Sequence, residues 1–230
     1  RGSGSYRGPR PGTPAGNRER MTEASRCLIL AGPTREYIDP VRYISNASSG
    51  LQGIALAEEA LERGYKVELV LGPVEYDPPG GAEVINVLSA AEMLAAATER
   101  HPGCSILIGA AAVSDFRPAV YNTSKHKRDG EELGLQLEPT EDILAFLGQQ
   151  KAAKVHAGFA LETDHHLDNA RGKLEAKNLD WIVVNDAVAI GQKSSDYHIL
   201  GADGSTSALG HISKRELAAN LLDRIEAAGS

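Results

Sequence analysis

From Arg26 onward, short apolar runs alternate with segments in which apolar residues recur every three or four positions. Short runs between turn-forming residues suit buried strands, and the helical spacing between them suits crossover helices, so the pattern predicts repeated units around a largely parallel sheet. The first strand is expected at Cys27 to Ala31, followed by a long loop from Gly32 to Ser48 and a helix from about Ser49 to Arg63 that Gly64 ends. Further strands are expected at Val67–Leu71, near Val84–Val87, and at Ser105–Ala110, Val155–Ala160 and Trp181–Val184. Ser89 with Glu92, and Ser213 with Glu216, have capping-box spacing and mark two helix starts, the second helix ending near Ala227. Other helices are expected from near Thr140 and over Thr163 to Lys177. Asp203-Gly204 within Tyr197–Leu209 signals a hairpin. Ser114 to Glu132 is polar without periodicity and reads as a mobile flap, whereas Leu133, Leu135 and Leu137 alternate as in a half-buried strand. The expected architecture is an α/β, Rossmann-like doubly wound sheet, mostly parallel, with helices on both faces and a C-terminal β-hairpin.

Composition narrows the class. The chain has 230 residues, enough for one substantial domain, assigned here to residues 26–230. Arg1 to Arg20 is rich in Gly, Pro, Arg and Ser, so residues 1–25 are expected to be a disordered tail, or a remnant ahead of a start at Met21. No run approaches the eighteen or so apolar residues of a membrane span, so no membrane partner is expected. The net charge of −7 argues against nucleic acid, which needs a basic face, and means that any anionic ligand must meet local basic groups. Cys27 and Cys104 both sit in or beside apolar runs and read as core residues of a cytoplasmic protein rather than a disulfide or metal pair. His165 and His166 are adjacent and cannot share a helix face, so zinc is not indicated.

Open parallel sheets bind ligands beyond the carboxyl ends of their strands, which directs attention to the loops there. The loop after the first strand is long, and long loops in compact domains tend to carry function. Ser48-Ser49-Gly50 offers hydroxyls and backbone N–H groups at a helix N-terminus, a ready phosphate site, though such a triplet alone is an ordinary cap. Neither GxGxxG nor GxxxxGK[ST] occurs there. Arg42 is a candidate for a substrate phosphate because guanidinium pairs with it in bidentate fashion. Lys173 and Lys177 lie four apart, so a helix would present both to a triphosphate; the plainer reading is two surface lysines near a helix C-terminus.

Gly32-Pro-Thr-Arg-Glu, Asp39-Pro-Val-Arg and Ile44-Ser-Asn-Ala-Ser-Ser-Gly50, in that order, resemble the phosphopantothenoylcysteine synthetase family. The likeness continues through Ala110-Ala-Ala-Val-Ser-Asp-Phe-Arg-Pro118, Lys125-x-Lys127, Pro139-Thr-Glu-Asp-Ile-Leu144, Gly158-Phe-Ala-Leu-Glu-Thr163, Lys173-x-x-x-Lys177-Asn-Leu-Asp180 and Asn185-Asp186. It implies a ligase of coenzyme A biosynthesis that joins 4'-phosphopantothenate to L-cysteine through an acyl nucleotidylate. It also implies Mg²⁺, a homodimer, and CTP as co-substrate, since the motif spelling resembles the bacterial members that use CTP rather than the ATP-dependent eukaryotic ones. Many bacterial members carry an N-terminal flavin-dependent decarboxylase domain, for which Arg1 to Ser25 is too short, so the expectation is either a standalone enzyme or a piece trimmed of that domain.

By the same resemblance Asn46 holds the acyl-phosphate intermediate, and Lys125, assisted by Lys127, neutralises charge during nucleotidyl transfer. Asp115 takes nucleotide and metal. Gly32, Ser48, Ser49, Gly50, Phe159, Ala160, Lys173 and Lys177 bind nucleotide; Arg42, Asn46, Asn185 and Asp186 contact substrate. Outside these motifs Asn46 would read as a turn residue and Lys125 as belonging to a solvated basic loop. The chain departs from the family at Ala47, where Arg or His is common, at Leu51-Gln52, where Lys-Met is frequent, and at His198, where asparagine is expected. Two other readings differ in kind. An NAD(P)-dependent Rossmann oxidoreductase would need a Gly-rich turn after strand one and an acidic residue ending strand two, and a noncatalytic nucleotide-binding relative would keep the fold without the chemistry.

Overall fold

The computed structural model describes residues 25–125, 133–151, 154–162, 166–186 and 194–228. The expected disordered tail, apart from Ser25, lies outside them, as do Lys127 and most of the C-terminal half of the expected flap. The strands are β1 (Arg26–Ala31), β2 (Arg35–Tyr37), β3 (Tyr43–Ser45), β4 (Lys66–Leu71), β5 (Glu83–Asn86), β6 (Ile106–Gly109), β7 (Phe116–Pro118), β8 (Leu137–Pro139), β9 (Val155–Glu162), β10 (Trp181–Asp186), β11 (Ser194–Gly201) and β12 (Thr206–Ser213). The α-helices are α1 (Leu51–Glu62), α2 (Ala90–Arg100), α3 (Ile143–Gly148), α4 (His166–Ala176) and α5 (Lys214–Ala228).

Eight strands form one sheet in the order β12-β11-β10-β9-β6-β1-β4-β5. Pairing is parallel from β5 through to β10 and antiparallel in the β10-β11-β12 ribbon. Chain order therefore reverses between β1 and β6, which is where a doubly wound sheet opens a crevice.

Both sheet faces are covered, which explains why the central strands are apolar at every position rather than at alternate ones. On one face Cys27, Ile29, Leu69, Ile108 and Val183 pack against Leu56, Ala57 and Ala60 of α1 and Leu217, Leu221 and Ile225 of α5. On the other, Leu28, Leu30, Val70 and Leu107 pack under Met93 and Ala97 of α2 and Ile143 and Leu147 of α3, while Ile182, Val184 and Leu200 meet Ala170 and Leu174 of α4. Both Ser–Glu pairs cap their helices: Ser213 and Glu216 make the full reciprocal box at 2.7 and 3.2 Å, whereas Ser89 Oγ accepts from the Glu92 amide at 3.2 Å and Glu92 reaches one residue further back to accept from the Leu88 amide at 2.7 Å. Cys27 and Cys104 are buried free thiols, and burial pushes Cys104 up to about 11, so it stays protonated.

Three expectations need correction. The loop after β1 is not irregular throughout, because β2 and β3 pair within it as a small antiparallel ribbon. The helix expected from near Thr140 begins at Ile143, where the Asp142 carboxylate caps it by accepting from the Ala145 amide. Leu133, Leu135 and Leu137 do not form a half-buried strand: all three are exposed, and only Leu137 enters β8, which pairs with β7 apart from the main sheet. The other expected strands and helices fall within a few residues of their predicted ends, the hairpin being longer than expected.

At the opposite end of the sheet from the crevice, His101 and His156 are buried with their Nε2 atoms 2.9 Å apart. One ring must donate and the other accept, so at least the accepting ring must be neutral and the pair cannot hold two charges. Burial first, then the positive neighbourhood of His101 and Lys151, push His156 down to about 4, against a partial opposing pull from Asp180. Below its ordinary value near 6.5 the unfolded chain takes up a proton that the folded chain refuses, so stability is complete above that pH and falls as pH drops toward 4. The expected loss is about 3 kcal/mol between those limits. Urea unfolding at pH 7 and at pH 4.5 checks it: the double variant His101→Phe/His156→Leu is expected to show a distinctly smaller drop than the wild type.

Candidate active site

The crevice is built where the loop after β1 is stitched to the loop after β6. The Ala112 amide donates to the Gly32 carbonyl at 2.9 Å, and the Ser114 amide donates to Thr34 Oγ1 at 2.9 Å. Asn46 Nδ2 donates to the Val113 carbonyl at 2.8 Å, and Ser45 Oγ returns to the Thr34 carbonyl at 2.7 Å. These bonds hold Asn46, at the end of the β2–β3 ribbon, against the segment that carries Asp115.

The result is a cavity of about 450 Å³ lined by Asn46, Ser48, Ser49, Gly50, Asp115, Phe159 and Asn185, with Ala47, Leu51 and Gln52 on the same wall. Asp115 and Phe159 also line a neighbouring cavity of about 310 Å³, which reaches Thr140, Asp142 and Lys177. Lys177 in turn borders a surface groove with Lys173. The two lysines share a face as expected, and the Lys177 amide still bonds the Lys173 carbonyl at 3.0 Å although α4 itself ends at Ala176.

Lys177 is already engaged, its ammonium lying 2.9 Å from the Asp142 carboxylate. Burial pushes the Asp142 carboxyl up, but the Lys177 ammonium and the Ala145 amide more than offset this and hold it below the ordinary range. An anion arriving at Lys177 would compete with a partner that also caps α3.

Gly50 begins α1 in the left-handed region, at φ 72°. No side chain caps this helix; Ser48 Oγ instead accepts from the Gly50 amide at 3.3 Å. A Cβ at Gly50 would lie 2.5 Å from Val74 Cγ1 and close to the Gly32 Cα, so the two glycines stand back to back. Gly32 thus shapes the turn and does not itself line the cavity.

Several predicted residues stand elsewhere. Ala160 is buried on the face beneath α4, opposite Phe159, and its side chain does not reach the cavity. Arg42 lies at the β2–β3 turn with its Nε 3.2 Å from the buried Asp39 carboxylate, which also accepts from the Val41 and Arg42 amides. Lys125 is exposed and outside the cavity lining. Asp186 ends β10 opposite Glu162, with its side chain beyond the described set. Two lining residues were not singled out from the sequence, Tyr197 and Lys214. The Ser213–Glu216 box places Lys214 at a helix start, but no local signal turns that start toward the crevice.

With this geometry in place, comparison with known proteins is decisive for the family. Residues 22–228 match the family described as DNA/pantothenate metabolism flavoprotein C-terminal domain. The chain belongs to this family. It is 44% identical over 213 residues to a cysteine/cysteine sulfinic acid decarboxylase of an unknown prokaryotic organism, covering 90% of this chain and 59% of that protein. It is 42% identical over 210 residues to the coenzyme A biosynthesis bifunctional protein CoaBC of Bacillus subtilis, covering 89% of this chain and 52% of the relative. The chain thus spans little more than half the length of these relatives. Among solved structures, the C-terminal domain of a CoaBC superposes with a TM-score of 0.79 at 37% identity, covering 90% of this chain and 96% of that one. The Rossmann-like α/β fold is that of these relatives. Among the described residues, no helix is long and apolar enough to cross a membrane.

The back-to-back glycines lead to a stability prediction. Gly50→Ala is expected to cost about 1–2 kcal/mol from the left-handed backbone alone, with further loss if Val74 cannot yield. Urea unfolding measures it, and unchanged stability would mean that the turn relaxes without penalty.

Proposed function

We propose that the chain is a phosphopantothenate–cysteine ligase that activates a carboxylate with CTP, ATP being the alternative nucleotide. The observation that carries this reading is the single cavity that holds Asn46, the Ser48-Ser49-Gly50 turn, Asp115 and Phe159 at the reversal of strand order. Membership of the family and the name of the Bacillus subtilis relative support it.

In the proposed reaction a carboxylate oxygen of phosphopantothenate attacks the α-phosphorus, the bond to the β-phosphate breaks, and pyrophosphate leaves. The cysteine amine then attacks the acyl carbon, loses a proton, and expels the nucleoside monophosphate. The N-terminus of α1 supplies backbone N–H groups and the positive end of a helix dipole to the phosphates. Asn46, fixed through its Nδ2 by the Val113 carbonyl, offers amide contacts to the mixed anhydride without adding charge. Phe159 provides a flat apolar surface for the base, and Asn185 lies within reach of substrate on the same wall.

Asp115 is the one carboxylate among the described residues of the main cavity, and it faces both cavities. One carboxylate plus substrate phosphates and waters is an ordinary Mg²⁺ environment, so the residues fit that ion, whose chemistry would be to offset charge on the leaving pyrophosphate. Among the described residues no three His, Cys, Asp or Glu side chains converge, which fits an ion carried largely by the nucleotide.

Lys125 would act from a flap that closes over the nucleotide. A homodimer accounts for the apolar arm around β7 and β8, where Phe116, Val120, Tyr121, Leu133, Leu135 and Leu137 are all 41–69% exposed. A second copy would cover that arm and bring Arg42 toward a substrate phosphate.

The test is single-turnover chemistry. With CTP, Mg²⁺ and phosphopantothenate but no cysteine, the protein is expected to release pyrophosphate and accumulate acyl cytidylate; adding cysteine should give phosphopantothenoylcysteine and CMP. ATP in place of CTP decides the nucleotide. Release of CO₂ from cysteine alone would point instead to the activity in the decarboxylase relative's name, and hydride transfer to NAD(P) would favour the oxidoreductase reading. Asn46→Asp is expected to lower kcat on the order of a hundredfold by setting a carboxylate beside a phosphate. Lys125→Gln should slow nucleotidyl transfer more than it weakens CTP binding. Wild-type rates in both variants would remove these assignments.

A further inference from the structure

Tyr197 and Lys214 of the main cavity have no role in the reaction as described above. Tyr197 is 1% exposed and lines the cavity, yet its hydroxyl has no hydrogen-bond partner among the described residues. The ladder between β11 and β12 slips at this point: Tyr197 pairs with Gly210 and His198 with Ala208, and Gly210 takes φ 67°. Bulges of this kind re-aim a side chain, and they recur beside functional sites.

Lys214 is half-buried, lines the same cavity, and is the first residue of α5. No hydrogen bond or ion pair of its ammonium occurs among the described residues, and burial holds its pKa below the ordinary lysine value. A cation there is placed against physical preference. It sits at the positive end of a helix dipole, it is partly desolvated, and it has no counter-ion among the described residues. It is also the single basic side chain among the described residues that line the cavity, since Ala47 and Leu51 on the same wall bring no charge. Gln52 Nε2 donates to the Lys214 carbonyl at 3.3 Å, which fixes the start of α5 beside the start of α1. Two helix N-termini therefore meet at this corner.

We infer that Lys214 and Tyr197 form an anion-binding corner that receives a phosphoryl group of a reactant. This deepens the ligase reading and rests on it for the identity of the donor, which is either the nucleoside triphosphate or phosphopantothenate. Among the described residues neither the ammonium nor the phenol has an acceptor, so a phosphoryl group would meet the ammonium without breaking any protein–protein bond, and the buried phenol after a small local shift. The unfavourable placement of Lys214 then has a reason, because ligand binding supplies the missing counter-ion.

Calorimetric titration of the whole chain with inorganic pyrophosphate, with CTP and with phosphopantothenate tests the proposal. Lys214→Met is expected to weaken pyrophosphate binding about tenfold or more, the loss typical of one charged hydrogen bond. Lys214→Arg should retain most of that affinity, and Tyr197→Phe should lose several-fold. Melting temperatures of Lys214→Met and Tyr197→Phe should equal or exceed that of the wild type, since each removes a half-buried or buried polar group that lacks a partner among the described residues. Whichever organic ligand loses affinity together with pyrophosphate identifies the source of the phosphoryl group.

Wild-type affinity of Lys214→Met for all three ligands would overturn the corner. So would a lowered melting temperature with no rescue of binding by Lys214→Arg, which would assign Lys214 to packing. A wild type that binds none of the three overturns both the corner and the ligase reading. Loss of pyrophosphate affinity in Lys214→Met, alongside a wild type that releases no pyrophosphate from CTP and phosphopantothenate, would sustain the corner and remove the ligase reading alone.

Discussion

The seam between the loop after β1 and the loop after β6 is the constraint on which the site depends. Strand order reverses there, so the chain leaves the two strands toward opposite faces of the sheet and a crevice opens between them. Such a crevice would expose backbone polar groups, and the protein answers by pairing them across it: Gly32 with Ala112, Thr34 with Ser114, Asn46 with Val113. Because each bond joins one loop to the other, neither can move without the other. Asn46 and Asp115, 69 positions apart by residue number, are thereby held on one wall.

The same constraint explains the glycines of the long loop better than any need for flexibility. Both Gly32 and Gly50 pack on the loop after β4: a Cβ at Gly50 would lie 2.5 Å from Val74 Cγ1, and one at Gly32 would lie 3.0 Å from the Gly72 carbonyl oxygen and 3.1 Å from Val74 Cγ1. Gly53, a turn further along α1, serves the same end by letting the helix settle on Ala31. The helix N-terminus is thus brought onto the carboxyl end of β1 by what those residues lack, and backbone N–H groups remain available to a ligand.

Much of this architecture was legible in the sequence because its causes are local. Doubly covered strands read as unbroken apolar runs, and Ser–Glu pairs at capping-box spacing announced α2 and α5. The misreadings arose where the cause is distant. Alternation at Leu133, Leu135 and Leu137 marks an extended segment with an apolar side, but it carries no information about what covers that side, and within one chain nothing described does. The β2–β3 ribbon is only three residues per strand, and its stability comes from Asp39 gathering the turn amides and from Glu36 accepting the Ala90 amide at the head of α2. Site residues on motifs after β1 and β6 could be found as strings. Tyr197 and Lys214 could not, since only the antiparallel return of β11 and β12 carries them back to the crevice.

Charge gives these pieces a common logic. In a chain of net charge −7, no general positive field would attract the proposed triphosphate, so attraction would have to come from a few groups close to the ligand, where low dielectric makes each worth more. The described lining of the cavity has little formal charge: one carboxylate, one ammonium, and otherwise amides, hydroxyls and helix N-termini. Neutral donors suit a mixed anhydride, because they can orient its oxygens without providing a nucleophile that would hydrolyse it. Two further cations stand outside this lining, Lys177 held by Asp142 and Arg42 by Asp39. A lysine tied to a helix-capping carboxylate can exchange that partner for a phosphate at smaller cost than an unpaired buried charge would incur, because neither state leaves it bare. On the proposed ligase reading, the arrangement would separate charge that steers and clamps, kept at the rim, from uncharged contacts at the reacting centre, with Lys214 the exception that the pocket keeps inside.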